Sequence, residues 1–208
     1  MMVPLRPTDQ CDQALGMESG DISNSQLTAS SSFSDHIVGA HSSRIRTEHR
    51  GGAWCPLRPI TDEVHEFLQI DLGRLTVLTA AETQGRFGNG RGKEWAETYE
   101  LEYWRPGWDA QTGWRTYRNV SGQTRLDGNV NSYMARKTPL EPPLVAAKVR
   151  LVPRSSHPRT VCLRAELYGC PYTGAWCGRT TVSVLRKGLR AKDVQRSEPE
   201  QVVVVVLD

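Results

Sequence analysis

The residues of this chain whose types and spacing could do chemistry are its five cysteines, at positions 11, 55, 162, 170 and 177. Cysteine thiols can pair as disulfides, bind zinc or remain free. No C-x-x-C or H-x₃-H spacing accompanies them, so a zinc site is not predicted. We favour disulfide pairing, which implies an oxidising, extracellular environment. Reduced, buried cysteines in a cytosolic protein are the alternative.

The stretch RTVCLRAELYGC at 159–170 has the period-two pattern of a half-buried strand. Apolar and polar side chains alternate along it: Val161, Leu163, Ala165 and Leu167 on one parity, Arg164, Glu166 and Tyr168 on the other. Cys162 and Cys170 would lie roughly 26 Å apart on such a strand, at about 3.3 Å per residue. A disulfide requires Cα atoms within about 7 Å. These two cysteines therefore cannot pair with each other.

Chain order limits the pairing further. We place Cys177 in an irregular tail. Because a Cys162–Cys170 bond is excluded, two pairings of the other four cysteines are left. Cys11 opens the predicted β unit and Cys170 closes it, so a Cys11–Cys170 bond would tie the two ends of the domain together. Cys55 would then bond to Cys162 and fasten the loop GAWCP to the start of the last strand.

Signatures of catalysis are absent from the sequence. The histidines form no H-E-x-x-H pattern, and there is no G-x-S-x-G nucleophile turn. The stretch GNGRGK at 88–93 fails as a phosphate-binding loop, because Phe87 stands where the first glycine is required and Glu94 follows the lysine. We therefore expect a binding protein, not an enzyme, with no cofactor and no metal.

Composition and charge are those of an ordinary globular protein. The net charge of +3 lacks the basic stripe that phosphate-backbone binding requires, so no nucleic-acid partner is expected. The longest apolar run, 202–207, is far shorter than the roughly 20 residues that span a bilayer. No signal-peptide core is recognised near the start. The triplet NVS at Asn119 is a glycosylation sequon, which weakly supports a secreted protein.

The elements that would position these residues are short strands separated by Gly, Pro, Asn or Ser clusters. We predict strands at 66–72, 75–83, 98–104, 113–119, 145–152 and 160–168. Such a series indicates an all-β sandwich or barrel-like sandwich with long loops at one end. We expect a disordered lead-in over residues 1–10, one domain over 11–171, and an irregular or disordered tail over 172–208.

Several stretches, in order along the chain, resemble the discoidin domain of discoidin domain receptors: CDQALGM (11–17), LTASSSFSD (27–35), GAWCP (52–56), EFLQIDLG (66–73), TQGRFGNGRGKE (83–94) and LRAELYGC (163–170). These receptors are collagen-binding receptor tyrosine kinases, and the domain belongs to the coagulation factor V/VIII type C group. The resemblance implies an eight-stranded jelly-roll-like β-sandwich, the same two disulfides and a ligand site at the loop end.

The resemblance also implies where the protein is located and what it binds. It indicates an extracellular or cell-surface module, on the plasma membrane in a full-length receptor, which could be a homodimer. The expected partner is the collagen triple helix. The kinase and the membrane helix of those receptors have no counterpart in this chain.

The resemblance assigns six residues to the collagen trench. Phe33 stands where the vertebrate receptors carry tryptophan, and Arg86 and Glu94 match a charged pair. Three positions depart from the family, which has threonine, aspartate and asparagine there: Ile37, Gly51 and Thr160. The charged pair could instead be purely structural, closing a glycine-rich loop. Because polar anchors are lost, either a different collagen is the partner or the activity is altered.

A second interpretation is a module for phosphatidylserine or a glycan, since the wider group includes such proteins. The residues that could supply an apolar and basic footprint for anionic lipid are Phe33, Ile37, Phe87, Arg86, Arg91 and Lys93.

Overall fold

The computed structural model describes residues 11–173 of the 208-residue chain. The predicted lead-in, the predicted tail from residue 174 onward, Cys177 and the valine run lie outside the described residues.

Within residues 11–173 the structure contains eight β-strands: β1 Gln13–Ala14, β2 Leu27–Ala29, β3 Leu68–Gln84, β4 Thr98–Trp104, β5 Arg115–Thr116, β6 Arg125–Asp127, β7 Arg136–Arg154 and β8 Arg164–Pro171. One short α-helix, α1 (Asp35–Val38), and three 3₁₀ turns accompany them: Asn24–Gln26, Ala40–Ser42 and Gly88–Gly90. The all-β, eight-stranded fold class predicted from the sequence is confirmed.

All strand pairs are antiparallel, and the sheet has the order β1-β8-β3-β7-β4-β5, with β2 added to β3 and β6 to β4. The long strands β3 and β7 pair from Leu68 opposite Leu151 to Thr83 opposite Arg136. The register of this pairing shifts between Asp71 and Thr76, which marks a local irregularity in the ladder. The two strands remain paired on both sides of it.

The strand boundaries show where sequence patterns succeed and fail. The strand predicted at 98–104 is confirmed, whereas the strands predicted at 66–72 and 75–83 are one strand, β3. The predicted strand at 113–119 shrinks to the two residues of β5. The strand predicted at 145–152 extends to the 19 residues of β7.

The core lies against the inward side chains of the strands. Tyr99 and Leu101 of β4 are fully buried, as the alternation of that strand predicts. Other large apolar side chains with no exposed surface come from loops and from β3: Trp54, Met17, Ile45, Ile60, Leu68, Ile70 and Leu78. Burial of each such side chain contributes about 1.5–3 kcal/mol.

The prediction of a half-buried last strand is wrong. β8 begins at Arg164, so Cys162 precedes it, and both faces of the strand are covered. Arg164 is buried because it donates to the carbonyl of Gly85 at 2.7 Å and pairs with Glu48 at 2.6 Å. Buried Glu166 accepts hydrogen bonds from backbone N–H groups of residues 16–18. The polar side chains of Arg164 and Glu166 thus form hydrogen bonds with loops inside the protein.

Both predicted disulfides are confirmed. Cys11 bonds to Cys170 with a Cα–Cα distance of 4.8 Å, and β1 pairs with β8 beside it. Cys55 bonds to Cys162 with a Cα–Cα distance of 4.3 Å. The first bond joins the two ends of the domain, and the second joins two loops at the other end of β8.

Candidate ligand-binding site

A trench with a volume of about 560 Å³ lies where loops meet beyond the ends of β3 and β8. Its walls come from loops around α1, the segment after Trp54, the ends of the glycine-rich loop and the segment before β8. The lining residues are Phe33, Ser34, Ile37, Val38, Cys55, Pro56, Leu57, Arg58, Pro59, Arg86, Glu94, Thr160 and Cys162.

Five of the six residues assigned from the sequence line this one trench: Phe33, Ile37, Arg86, Glu94 and Thr160. The sixth, Gly51, does not line it. Gly51 is buried and lies behind Arg86, whose Nε donates to the Gly51 carbonyl oxygen at 2.7 Å. Its position supports the trench from the inside and offers a ligand no side chain.

The first wall is an apolar surface held by backbone hydrogen bonds. The N–H of Phe33 donates to the carbonyl of Cys55 at 2.9 Å, and the N–H of Gly51 donates to the carbonyl of Ile37 at 2.9 Å. The side chains of this wall are nevertheless open to solvent, with Phe33 73% and Ile37 54% exposed. Large exposed apolar side chains on a rigid loop are typical of a contact surface.

Another wall of the trench carries the Arg86–Glu94 pair at the two ends of the glycine-rich loop. The N–H of Arg86 donates to the carbonyl of Glu94 at 2.8 Å, and the side chains approach at 3.3 Å between Nη1 and Oε2. The loop closes this tightly because of Gly92, where a Cβ atom would lie 1.9 Å from the Arg86 carbonyl oxygen. The pair therefore both closes the loop and presents its charges to the trench.

A third wall, which the sequence analysis missed, is formed by Pro56, Leu57, Arg58 and Pro59. The side chain of Leu57 is 59% exposed, and its N–H donates to the Ser31 hydroxyl oxygen at 3.0 Å. A sequence signal was available, because an apolar and a basic residue between two prolines directly follow the disulfide cysteine of GAWCP. Prolines restrict the backbone of such a loop.

Glu66 holds two of these walls together from below. Its carboxylate is 1% exposed and accepts hydrogen bonds from the hydroxyls of Ser30 and Ser31 and from Nε of Arg58 at 2.6 Å. Burial alone would raise its pKa, but the hydrogen bonds from Ser30, Arg58 and Ser31 outweigh burial, so the pKa of Glu66 lies below its ordinary value. Glu66 is thus an ionised anchor under the trench.

The floor of the trench contains the Cys55–Cys162 disulfide. Beside it, Trp54 is fully buried, and its indole N–H donates to the Ser31 carbonyl at 2.9 Å. Trp54 therefore packs in the core and does not contact a ligand. Together the disulfide and this hydrogen bond fix the loops that carry Phe33 and Leu57.

Comparison with known proteins identifies the domain that carries this trench. The family model described as F5/8 type C domain matches residues 26–167. The chain belongs to this family. The match covers β2 through most of β8 and all the trench-lining residues.

Relatives of this F5/8 type C domain include receptors. It is 46% identical over 167 residues to Discoidin domain-containing receptor A of Caenorhabditis elegans, covering 80% of this chain and 21% of that protein. It is 40% identical over 161 residues to the Epithelial discoidin domain-containing receptor 1 of Homo sapiens, covering 77% of this chain and 17% of that protein. The chain thus spans about a fifth of the length of these relatives.

Solved structures share the fold at low identity. Discoidin II from Dictyostelium discoideum aligns with a TM-score of 0.53 and 21% identity, over 70% of this chain and 55% of that chain. A Clostridium perfringens module, CpGH89CBM32-5 in complex with GalNAc-β-1,3-galactose, aligns with a TM-score of 0.52 and 16% identity, over 76% of this chain and 99% of that chain. These likenesses establish the fold of the F5/8 type C domain alone.

Three further features of the domain bear on its setting and chemistry. The sequon residue Asn119 accepts hydrogen bonds from the N–H groups of Ser121 at 3.0 Å and Gln123 at 2.9 Å, and glycosylation there stays a prediction. None of the helices within residues 11–173 has the length and apolar character needed to cross a bilayer. Within the same residues, no group of three or more His, Cys, Asp or Glu side chains could hold a metal ion.

Proposed function

We propose that this F5/8 type C domain is an extracellular recognition module whose trench binds the triple helix of a collagen. The observation that carries the proposal is that Phe33 and the Arg86–Glu94 pair, which the resemblance assigned to a collagen site, line one trench. The relatives named above are receptors, which supports a ligand-binding role for the domain.

The chemistry of the walls suits a triple helix. A collagen triple helix is a rod whose X and Y side chains project outward, while glycine occupies its axis. Exposed Phe33, Ile37 and Leu57 offer apolar area to such side chains. The Arg86–Glu94 pair offers a donor and an acceptor to the polar groups of the rod.

Rigidity of the loops favours binding because less conformational entropy is lost when the ligand is held. The Cys55–Cys162 bond, the Phe33–Cys55 backbone hydrogen bond and the Glu66 anchor all restrict the trench before any ligand arrives. The trench is therefore organised in advance.

A membrane-surface role is the second candidate function. Phe87 is 39% exposed, and Arg91 and Lys93 on the same glycine-rich loop are exposed cations. This combination could bind anionic lipid. The footprint proposed for lipid shares Phe33, Ile37 and Arg86 with the trench, whereas Phe87, Arg91 and Lys93 do not line the trench. Variants of Phe87 therefore distinguish the two candidate functions.

Solid-phase binding to several collagens, set beside sedimentation with phosphatidylserine liposomes, tests the proposal. We expect collagen binding that Phe33→Ala weakens and that Phe87→Ala leaves unchanged. Binding that depends on phosphatidylserine and on Phe87, with no binding to collagen, would instead establish the membrane-surface role.

The context of the domain is proposed from its relatives, since the chain spans about a fifth of their length. We infer that the full-length protein is a plasma-membrane receptor with this domain outside the cell. Coupling to a kinase and homodimer formation belong to the same proposal.

A further inference from the structure

The side chain of Arg58 is the best-placed anion-binding group of the trench. It lines the trench and is 61% exposed. Its Nε donates to the buried carboxylate of Glu66 at 2.6 Å. No described residue accepts a hydrogen bond from its two terminal nitrogens, so their N–H groups remain available at the trench surface.

The other two charged residues that line the trench, Arg86 and Glu94, are paired with each other inside the trench. Arg86 is committed to the Gly51 carbonyl and to Glu94. The Glu94 carboxylate also accepts from the N–H of Lys93 at 2.9 Å. Arg86 thus has a partner for Nε and for Nη1, whereas both terminal nitrogens of Arg58 are open, so Arg58 offers a ligand anion the more complete fork of N–H donors.

The geometry of Arg58 suits a carboxylate. A guanidinium is planar, and its N–H groups form a fork that matches the two oxygens of a carboxylate. Glu66 fixes the orientation of this fork, and Pro56 and Pro59 restrict the loop that carries it. Binding an anion there consequently costs little further ordering of the side chain.

We propose that the trench selects triple helices that carry an acidic side chain, and that Arg58 binds its carboxylate next to the apolar contact made by Leu57. This inference rests on the proposed collagen function and adds the chemical class of collagen segment that the domain prefers. The Arg58–Glu66 pair is then a specificity device, in which the buried carboxylate orients the arginine and the ligand supplies the second carboxylate.

Matched triple-helical peptides test this inference. Peptides with Gly-Pro-Hyp flanks would carry either Gly-Glu-Hyp or Gly-Gln-Hyp guest triplets, and each would be titrated against the wild type, Arg58→Gln and the control Arg91→Gln. Arg91 is an exposed arginine that does not line the trench, so its variant has the same charge change. We expect the wild type to bind the Glu peptide about five- to tenfold more tightly than the Gln peptide at low salt.

Arg58→Gln should abolish this preference and keep binding of the Gln peptide at a temperature at which the variant is folded, while Arg91→Gln keeps the preference. The melting temperature of Arg58→Gln should fall, because the buried carboxylate of Glu66 loses its charged partner. The preference should also shrink as ionic strength rises. Equal binding of the two peptides by the wild type, or a preserved preference in Arg58→Gln, overturns the inference and leaves the collagen function standing. Failure of both peptides and of native collagen to bind the wild type overturns the collagen function, and the inference with it.

Discussion

The guanidinium Nε of Arg86 donates a hydrogen bond of 2.7 Å to the carbonyl oxygen of Gly51. This bond joins the glycine-rich loop to the segment before GAWCP. Gly51 itself has no room for a side chain, because a Cβ atom would lie 2.5 Å from Val38 Cγ1 and 2.6 Å from the Ile37 carbonyl oxygen. The family aspartate at this position therefore cannot be restored without moving α1, which carries Ile37.

Gly51→Asp should consequently destabilise the domain by about 1–3 kcal/mol, the usual cost of overpacking a buried site. It should also weaken binding at the trench, because α1 shifts. Thermal unfolding and collagen titration measure the two effects. Ala110→Asp is the control, since Ala110 is exposed and does not line the trench. Tighter binding by Gly51→Asp at an unchanged melting temperature would contradict this account.

Phe33→Ala should reduce collagen affinity by about tenfold or more, as expected for truncation of an aromatic contact. The melting temperature should stay within about 1 °C of the wild type, because a side chain this exposed contributes little to folding. Val120→Ala is the matched control, since Val120 is 75% exposed and does not line the trench. Equal affinities of the wild type and Phe33→Ala would remove Phe33 from the site.

Removing either disulfide should lower the free energy of unfolding by about 5 kcal/mol in the chain-entropy model, because the closed loops span 159 and 107 residues. The functional effects should differ. Serine at both Cys55 and Cys162 should weaken ligand binding even where the protein stays folded, since that bond forms the trench floor. Serine at both Cys11 and Cys170 should spare affinity in the folded fraction. Circular dichroism and titration at low temperature separate stability from binding.

Peptide mapping under non-reducing conditions checks the connectivity directly. Free thiols at all four positions would contradict both the fold and the extracellular assignment.

Glu66→Gln should destabilise the domain by about 1–3 kcal/mol at neutral pH, because it removes the charge from the hydrogen bonds to Ser30, Ser31 and Arg58. The folded pKa of Glu66 lies below its unfolded value, so its stabilisation is fully present above about pH 4.3 and is lost as pH falls through the folded pKa.

Melting temperatures of the wild type and Glu66→Gln should therefore differ by a constant amount from pH 7 to pH 5 and converge below about pH 4. A gap that widens on acidification would show that the pKa of Glu66 is raised.

The fold class and the disulfides could be predicted from the sequence because both rest on simple patterns. Period-two alternation is clear in β4, where Tyr99 and Leu101 are buried. The alternation in β8 predicted a half-buried strand, which is wrong. Arg164 and Glu166 are buried with hydrogen bonds to distant loops, and the sequence pattern of one strand does not reveal those partners.

The residues of the candidate site could be predicted only where the family resemblance assigned them. Phe33 and Arg86 were assigned from motifs, and the structure places both in one trench. Leu57 and Arg58 were missed because their significance depends on Glu66, which is distant in sequence and lies beneath them. The role of Gly51 was misjudged for a similar reason, since only the packing of α1 shows that a side chain cannot fit there.

The central claim is that the trench binds a triple helix and not merely a collagen sequence. Its most direct test compares binding of the domain to native fibrillar or network collagens with binding to the same collagens after heat denaturation. We expect saturable binding to at least one native collagen that disappears on denaturation and is weakened by Phe33→Ala. Equal binding to native and denatured chains, or no binding to any native collagen, would contradict the account.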